Sequence, residues 1–312
     1  MISLRGRVIR FMTKQFFKRI KPDSDIDKLR IEFEEIGTKL RPAEGVQVRH
    51  AKIAGIDCDW LVPEGCDGAP ILYYLHGGAY VMGSPKTHRR MVSHIIRRAG
   101  MRALLPDYRL APENQFPASL EDSTNVYRAL IEAGTDPERM AIGGDSAGGN
   151  LAMATLLALR DAGDPLPATC FLLSPWLDLA AQGETHESRA DYDPWFRPED
   201  MSEVVKKYCS EFDLKNPLVS PVYADAANLP PTLIQVGDHE ILLSDSTRLA
   251  DNIEKSGGDV TLQVWPDMWH VFQFFIGQMP ESKKAIKGIA EYLQKQFGAQ
   301  AVVQEPQEDR AA

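Results

Sequence analysis

The chain has 312 residues, a net charge of −9, 44% hydrophobic and 25% charged residues, the profile of a soluble globular protein with room for one large α/β domain or two ordinary ones. The acidic balance argues against a nucleic-acid binder, which shows a basic face or stripe. The four cysteines, Cys58, Cys66, Cys170 and Cys209, form no CxxC pair and no cluster with histidine; they read as reduced thiols of a cytosolic protein, with no metal site.

The chain starts with MISLRGRVIRFMTKQFFKRIK, which carries seven basic residues and no acid. Arg5, Arg7, Arg10, Lys14 and Lys18 interrupt every apolar run that a secretory signal needs, and no stretch reaches the roughly 20 apolar residues of a membrane span. Ile9, Met12, Phe16 and Ile20 recur at helical spacing. They are expected to lie on the protein's own body and cover a pocket, the other reading being an anionic membrane surface.

From Val46 the pattern turns β-like. VQVRHAKI and GIDCDWLVP read as an antiparallel pair, followed by strands at 71–75, 102–108, 140–144, 169–174, 232–237 and 261–265. Helical periodicity fills Met91–Ala99, Leu120–Ala133, Asn150–Ala162, Ser244–Ser256 and Glu281–Phe297. Apolar strands alternating with helices predict an α/β fold, with a mostly parallel central sheet flanked by helices. Functional groups are then expected beyond the carboxyl ends of the strands. The alternation breaks between Leu179 and Leu218, where YDPWFRPED and the helical MSEVVKKYCSEF suggest an excursion over the mouth of the sheet.

Strand MAIGG runs into Gly144-Asp145-Ser146-Ala147-Gly148-Gly149 just before a helix. In G-x-S-x-G the serine sits on a sharp strand-to-helix turn, where side chains two before and two after it collide; Gly144 and Gly148 meet that need. The spacing fits a nucleophile, and neither GxxxxGK[ST] nor GxGxxG is present to suggest a phosphate loop. Strand ILYYL empties into His76-Gly77-Gly78-Ala79-Tyr80. Gly77 and Gly78, with Ala147 after the nucleophile, are candidate backbone donors to an oxyanion. His76 is expected to hold the loop by its imidazole. Among the seven histidines, His270 follows a strand end late in the chain and is the candidate base, with His239 its competitor; His50, His88, His94 and His186 fall in strands, helices or the excursion. The acid that orients the base is expected from the preceding strand end, which leaves Asp238 and Glu240.

HGGAY (76–80), DYRLAPENQFPA (107–118), GDSAGG (144–149), LLSPWLDL (172–179) and LPPTLIQVG (229–237) together resemble the hormone-sensitive-lipase family of bacterial carboxylesterases, over roughly residues 45–295. The resemblance implies the α/β-hydrolase fold, a Ser…acid…His order, a helical cap, short- to medium-chain acyl esters as small-molecule substrates, no cofactor and a homodimer. The family's acid stands in Asp-Pro-Leu; here Glu240-Ile241-Leu242 matches it, so Glu240 is the expected acid and Asp238 the fallback. The expected triad is Ser146, Glu240 and His270. Tyr80 is the expected substrate contact, and Phe11, Phe16, Phe17, Trp195, Phe196 and Tyr208 are apolar candidates for the pocket. The expected layout is cap (1–45), core (46–178), second part of the cap (179–218), core (219–297) and a frayed tail (298–312). A lactonase or amide hydrolase with the same triad, and a non-catalytic ligand-binding homologue, are the alternatives.

Overall fold

The computed structural model describes residues 2–20 and 24–298; apart from Gly298, the expected tail lies outside them. Eight strands form one sheet in the order β1-β2-β4-β3-β5-β6-β7-β8. They are β1 (Val46–Ile53), β2 (Ile56–Pro63), β3 (Ile71–Leu75), β4 (Arg102–Pro106), β5 (Met140–Asp145), β6 (Thr169–Leu173), β7 (Thr232–Gly237) and β8 (Val260–Trp265). β1 and β2 pair antiparallel, as do β2 and β4, and every later pairing is parallel. The inner strands β3, β5, β6 and β7 are buried along their whole length. Their near-continuous apolar sequences are what a strand covered on both faces requires.

Helices cover both faces. In chain order they are α1 (Leu4–Phe17), α2 (Ile26–Lys39), α3 (Pro85–Ala99), α4 (Ala118–Glu132), α5 (Ala147–Ala162), the short α6 (Thr185–Ser188), α7 (Pro198–Cys209), α8 (Leu243–Lys255) and α9 (Pro280–Phe297). The period-2 alternation of β3 divides the core. Ile71, Tyr73 and Leu75 pack with α4, α5 and α8 on one face, while Leu72 and Tyr74 pack with α3 and α9 on the other. All four cysteines are buried and unpaired.

Two differences from the sequence reading have local causes. α3 begins at Pro85, six residues before Met91, because Ser84 and Thr87 form a capping box and Pro85 occupies the first turn. α2 is a separate helix capped by Asp25. It is held to the core by Arg30, whose guanidinium donates to Val81 O and Ala111 O at 2.7 Å and to both oxygens of Glu113 at 2.8 Å. Among the described residues, no helix is long and apolar enough to cross a membrane.

Candidate active site

The parallel strands end on the same edge of the sheet, so the turns that follow β3, β5, β6, β7 and β8 converge. Ser146 stands between β5 and α5 with φ 53° and ψ −123°, a strained conformation for a residue bearing a Cβ. The fold holds it there by backbone bonds: Ser146 N–H donates to Leu173 O at 2.9 Å, and its own carbonyl accepts from Trp176 N at 3.0 Å. The flanking glycines are sterically required. A Cβ on Gly144 would meet Gly148 O and lie 2.6 Å from Leu75 O, and one on Gly148 would strike Leu75 O and His76 O. Ser146 is 6% exposed, and that exposure opens into a cavity which His270 also lines.

The turn after β8 carries His270 and the turn after β7 carries Glu240. His270 Nδ1 lies 3.2 Å from Glu240 Oε2, and both side chains are buried. The other carboxylate oxygen accepts from Gly237 N at 2.6 Å and from the Ser174 hydroxyl at 2.7 Å. Ser174 Oγ in turn accepts from Val271 N at 3.1 Å, so one hydroxyl ties the Glu240 turn to the His270 turn. Asp238 is aimed elsewhere: its carboxylate lies 3.9 Å from the ring of His239. His239 forms a tilted pair with Tyr192.

A third carboxylate sits beside this pair. Asp193, in the excursion, accepts from Trp195 N at 2.8 Å and Phe196 N at 3.3 Å with one oxygen, and from Ile241 N at 3.0 Å with the other. It thereby joins the excursion to the residue that follows Glu240. Burial pushes its carboxyl up to about 6, against the pull of His270. Trp195 and Phe196, positioned by Asp193, stand edge-on to the His270 ring at centroid distances of 5.4 and 4.7 Å. Ser174 lies in SPWLDL and Asp193 in YDPWF; the sequence signals them only by a hydroxyl just past a strand end and a carboxylate two residues before a Trp-Phe pair.

The turn after β3 is anchored through Asp145. Its buried carboxylate accepts from Tyr74 OH at 2.7 Å and Gly77 N at 3.1 Å, and faces His88 Nε2 at 3.3 Å. Burial opposes its charge, yet His88 and Tyr74 hold the carboxyl below the usual aspartate range. The expected donor Gly77 is therefore corrected, because its N–H is already taken by Asp145. Among the described residues, the N–H groups of Gly78, Ala79 and Ala147 donate to no protein acceptor. Gly78 and Ala79 line the cavity, and Ala147 opens α5, where first-turn N–H groups have no helical partner. His76 Nδ1 donates to Gly77 O at 2.8 Å, and its ring stacks on Tyr108 at 4.2 Å. Burial pulls its pKa down to about 3, so it is a neutral ring that shapes the turn.

The cavity has a volume of about 460 Å³, in the usual range for small-molecule sites. Its walls include Phe16 from α1, Phe33 from α2, Met201 from α7, and Phe17, Trp195 and Phe196. Three apolar expectations are corrected. Tyr80 is 1% exposed, stacks on Tyr208 at 3.7 Å and donates its hydroxyl to Asn150 at 2.8 Å. Tyr80 and Tyr208 are thus a buried pair that does not line the cavity. Phe11 is 64% exposed and points to solvent. Of the helical-spacing set, Met12, Phe16 and Ile20 do line the cavity, while Ile9 packs in the cluster of Met268 and Trp269. Among the described residues, no group of His, Cys, Asp and Glu is arranged to hold a metal ion.

Residues 72–274 match a family model described as the alpha/beta hydrolase fold. The chain is 40% identical over 257 residues to an acetyl-hydrolase of Streptomyces hygroscopicus, covering 82% of this chain and 84% of that protein. It is 35% identical over 249 residues to an esterase of Acinetobacter venetianus, covering 79% and 82%. Among solved structures, an esterase from the bacterial hormone-sensitive lipase family superposes with a TM-score of 0.91 at 41% identity, over 96% of this chain and 100% of that one.

Proposed function

The chain belongs to the hormone-sensitive-lipase family of the α/β-hydrolase fold and is a carboxylic ester hydrolase; on that premise we propose that it works as a serine esterase on short- to medium-chain acyl esters, through an acyl-enzyme. The observation that carries the proposal is the buried contact between His270 and a doubly anchored Glu240, at the edge of the cavity into which the strained Ser146 opens.

In the first half-reaction His270 Nε2 takes the Ser146 proton as the oxygen attacks the acyl carbon. Glu240 holds the Nδ1–H tautomer and stabilises the imidazolium. The N–H groups of Gly78, Ala79 and Ala147 meet the charge on the carbonyl oxygen. The imidazolium then protonates the departing alkoxide as the carbon–oxygen bond breaks. In the second half His270 activates a water, which attacks the acyl carbon of the ester on Ser146; the same donors hold the oxyanion, and the serine leaves with the proton returned. Residues 1–45 and 179–218 act as a two-part cap, supported by the cavity-lining positions of α1, α2, α7 and the Trp195-Phe196 pair.

The test is a series of p-nitrophenyl esters from acetate to palmitate, assayed with wild type and Ser146→Ala. The proposal expects turnover greatest at short to medium chains and background rates for the variant. Turnover that climbs to the longest chain, with activation at an oil–water interface, would overturn the substrate class. Full activity in Ser146→Ala would overturn the mechanism.

A further inference from the structure

α1 packs Ile9, Phe16 and Phe17 against the body, yet four of its other large apolar residues are turned the wrong way for a helix lying on a body. Its buried residues are Gly6 and Thr13, both small and seven apart, so the helix sits close to the protein along that face. Leu4, Val8, Phe11 and Met12, at i, i+4, i+7 and i+8, form one stripe on the other side. They are 77%, 52%, 64% and 63% exposed. An ordinary surface helix presents its polar face to water, and a run of four large apolar side chains along one exposed face marks an interaction surface.

Charge says what that surface fits. Residues 1–21 hold seven basic residues and no acid in a chain of net charge −9. Arg5, Arg7, Lys14 and Lys18 are exposed alongside the stripe. An apolar stripe bordered by cations matches a lipid surface with anionic headgroups, where the apolar side chains enter the acyl boundary and the cations meet the headgroups. A second copy fits poorly, because a two-fold dimer about the stripe would lay the basic border of one helix against that of the other. The helix is also fixed in place, as such a surface requires. Ser3 N–H donates to Glu281 at 2.6 Å, Arg10 donates to Tyr192 O at 2.7 Å, and Phe17 stacks on Trp195 at 4.2 Å.

We propose that the outward face of α1, with Leu4, Val8, Phe11 and Met12 as its apolar stripe, docks the protein on anionic lipid surfaces. Met12 belongs to both the stripe and the cavity wall, so the docked face lies at the rim of the site. Docking and acyl-chain preference are separate properties, the first read by partition and the second by turnover.

The protein is sedimented with vesicles of phosphatidylcholine alone and with equal parts of phosphatidylglycerol, at low and at high salt. Wild type is expected to pellet with the anionic vesicles at low salt. The partition coefficient should fall about tenfold or more on neutral vesicles or at high salt. Val8→Glu/Phe11→Glu and Arg5→Glu/Arg7→Glu should each lose binding by a similar factor while hydrolysing a soluble acetate ester at the wild-type rate, which certifies their fold. The proposal is overturned if wild type stays in the supernatant of anionic vesicles, or if both double variants pellet like wild type. It is also overturned if sedimentation velocity shows a wild-type dimer that Val8→Glu/Phe11→Glu dissolves, since the stripe then serves a second copy.

Discussion

Replacing Glu240 separates the two neighbouring carboxylates most sharply. The Glu240 carboxylate accepts from Gly237 N at 2.6 Å and Ser174 Oγ at 2.7 Å and lies 3.2 Å from His270 Nδ1. Gln keeps the shape but brings an amide that donates where a lone pair is needed, so the imidazole loses its orienting acceptor and the imidazolium its counter-charge. Loss of that acid from a serine triad costs about 10⁴-fold in kcat, or about 5 kcal/mol of transition-state stabilisation. The prediction for Glu240→Gln is a fall in kcat of about 10³- to 10⁴-fold with KM changed by less than about threefold, since the loss arises only in the transition state. Glu240→Asp withdraws the carboxylate by about one bond length, ~1.5 Å, beyond hydrogen-bond reach of Nδ1. It should fall between wild type and Glu240→Gln. Asp238→Ala, which removes a carboxylate whose ring neighbour is His239 at 3.9 Å, should retain kcat within about threefold. Initial rates on p-nitrophenyl butyrate across the substrate range decide the matter. A Glu240→Ala enzyme that keeps most of its activity, with Asp238→Ala inactive, would refute the reasoning.

Other outcomes follow from the same geometry. Gly144→Ala puts a methyl against Gly148 O and 2.6 Å from Leu75 O, backbone atoms that cannot swing aside; it should destabilise the fold by more than about 3 kcal/mol in urea unfolding. Asp193 is held at about 6 against an ordinary 3.8. A raised folded-state pKa favours folding while the group is protonated, so its contribution is complete below 3.8 and is lost as pH rises through about 6, for a total of about 3 kcal/mol. Asp193→Asn should flatten that part of the stability–pH curve, and an unchanged slope would remove Asp193 as its source. Phe33→Ala enlarges the cavity where its ring faces Phe16 and Phe17, and should raise the ratio of kcat/KM for an octanoate to that for a butyrate by about threefold or more.

Much of the fold was legible because central strands must be apolar along their length. ILYYL, MAIGG and TLIQVG announce β3, β5 and β7 without help from their surroundings. The start of α3 was not, since Lys86, Thr87 and His88 hide its first turn behind polar letters and only the cap of Ser84 reveals it. At the site, G-x-S-x-G located Ser146, because sterics at Gly144 and Gly148 depend on residue type alone. Which N–H groups are free does not: Gly77 and Ala79 stand two positions apart in one turn, and only Asp145 at the end of β5 takes the N–H of the first and leaves that of the second. The same limit applies to Tyr80, whose side chain turns away to stack on Tyr208, a partner 128 positions later.

The central claim is that Ser146 carries the acyl group. Rapid mixing with p-nitrophenyl butyrate, acid quench and intact-protein mass spectrometry tests it directly, with peptide mapping to find the modified residue. The account predicts one butyryl group per chain, on Ser146, formed at the rate of the p-nitrophenol burst and absent from Ser146→Ala. An adduct on another residue, or unimpaired steady-state hydrolysis by Ser146→Ala, would contradict it.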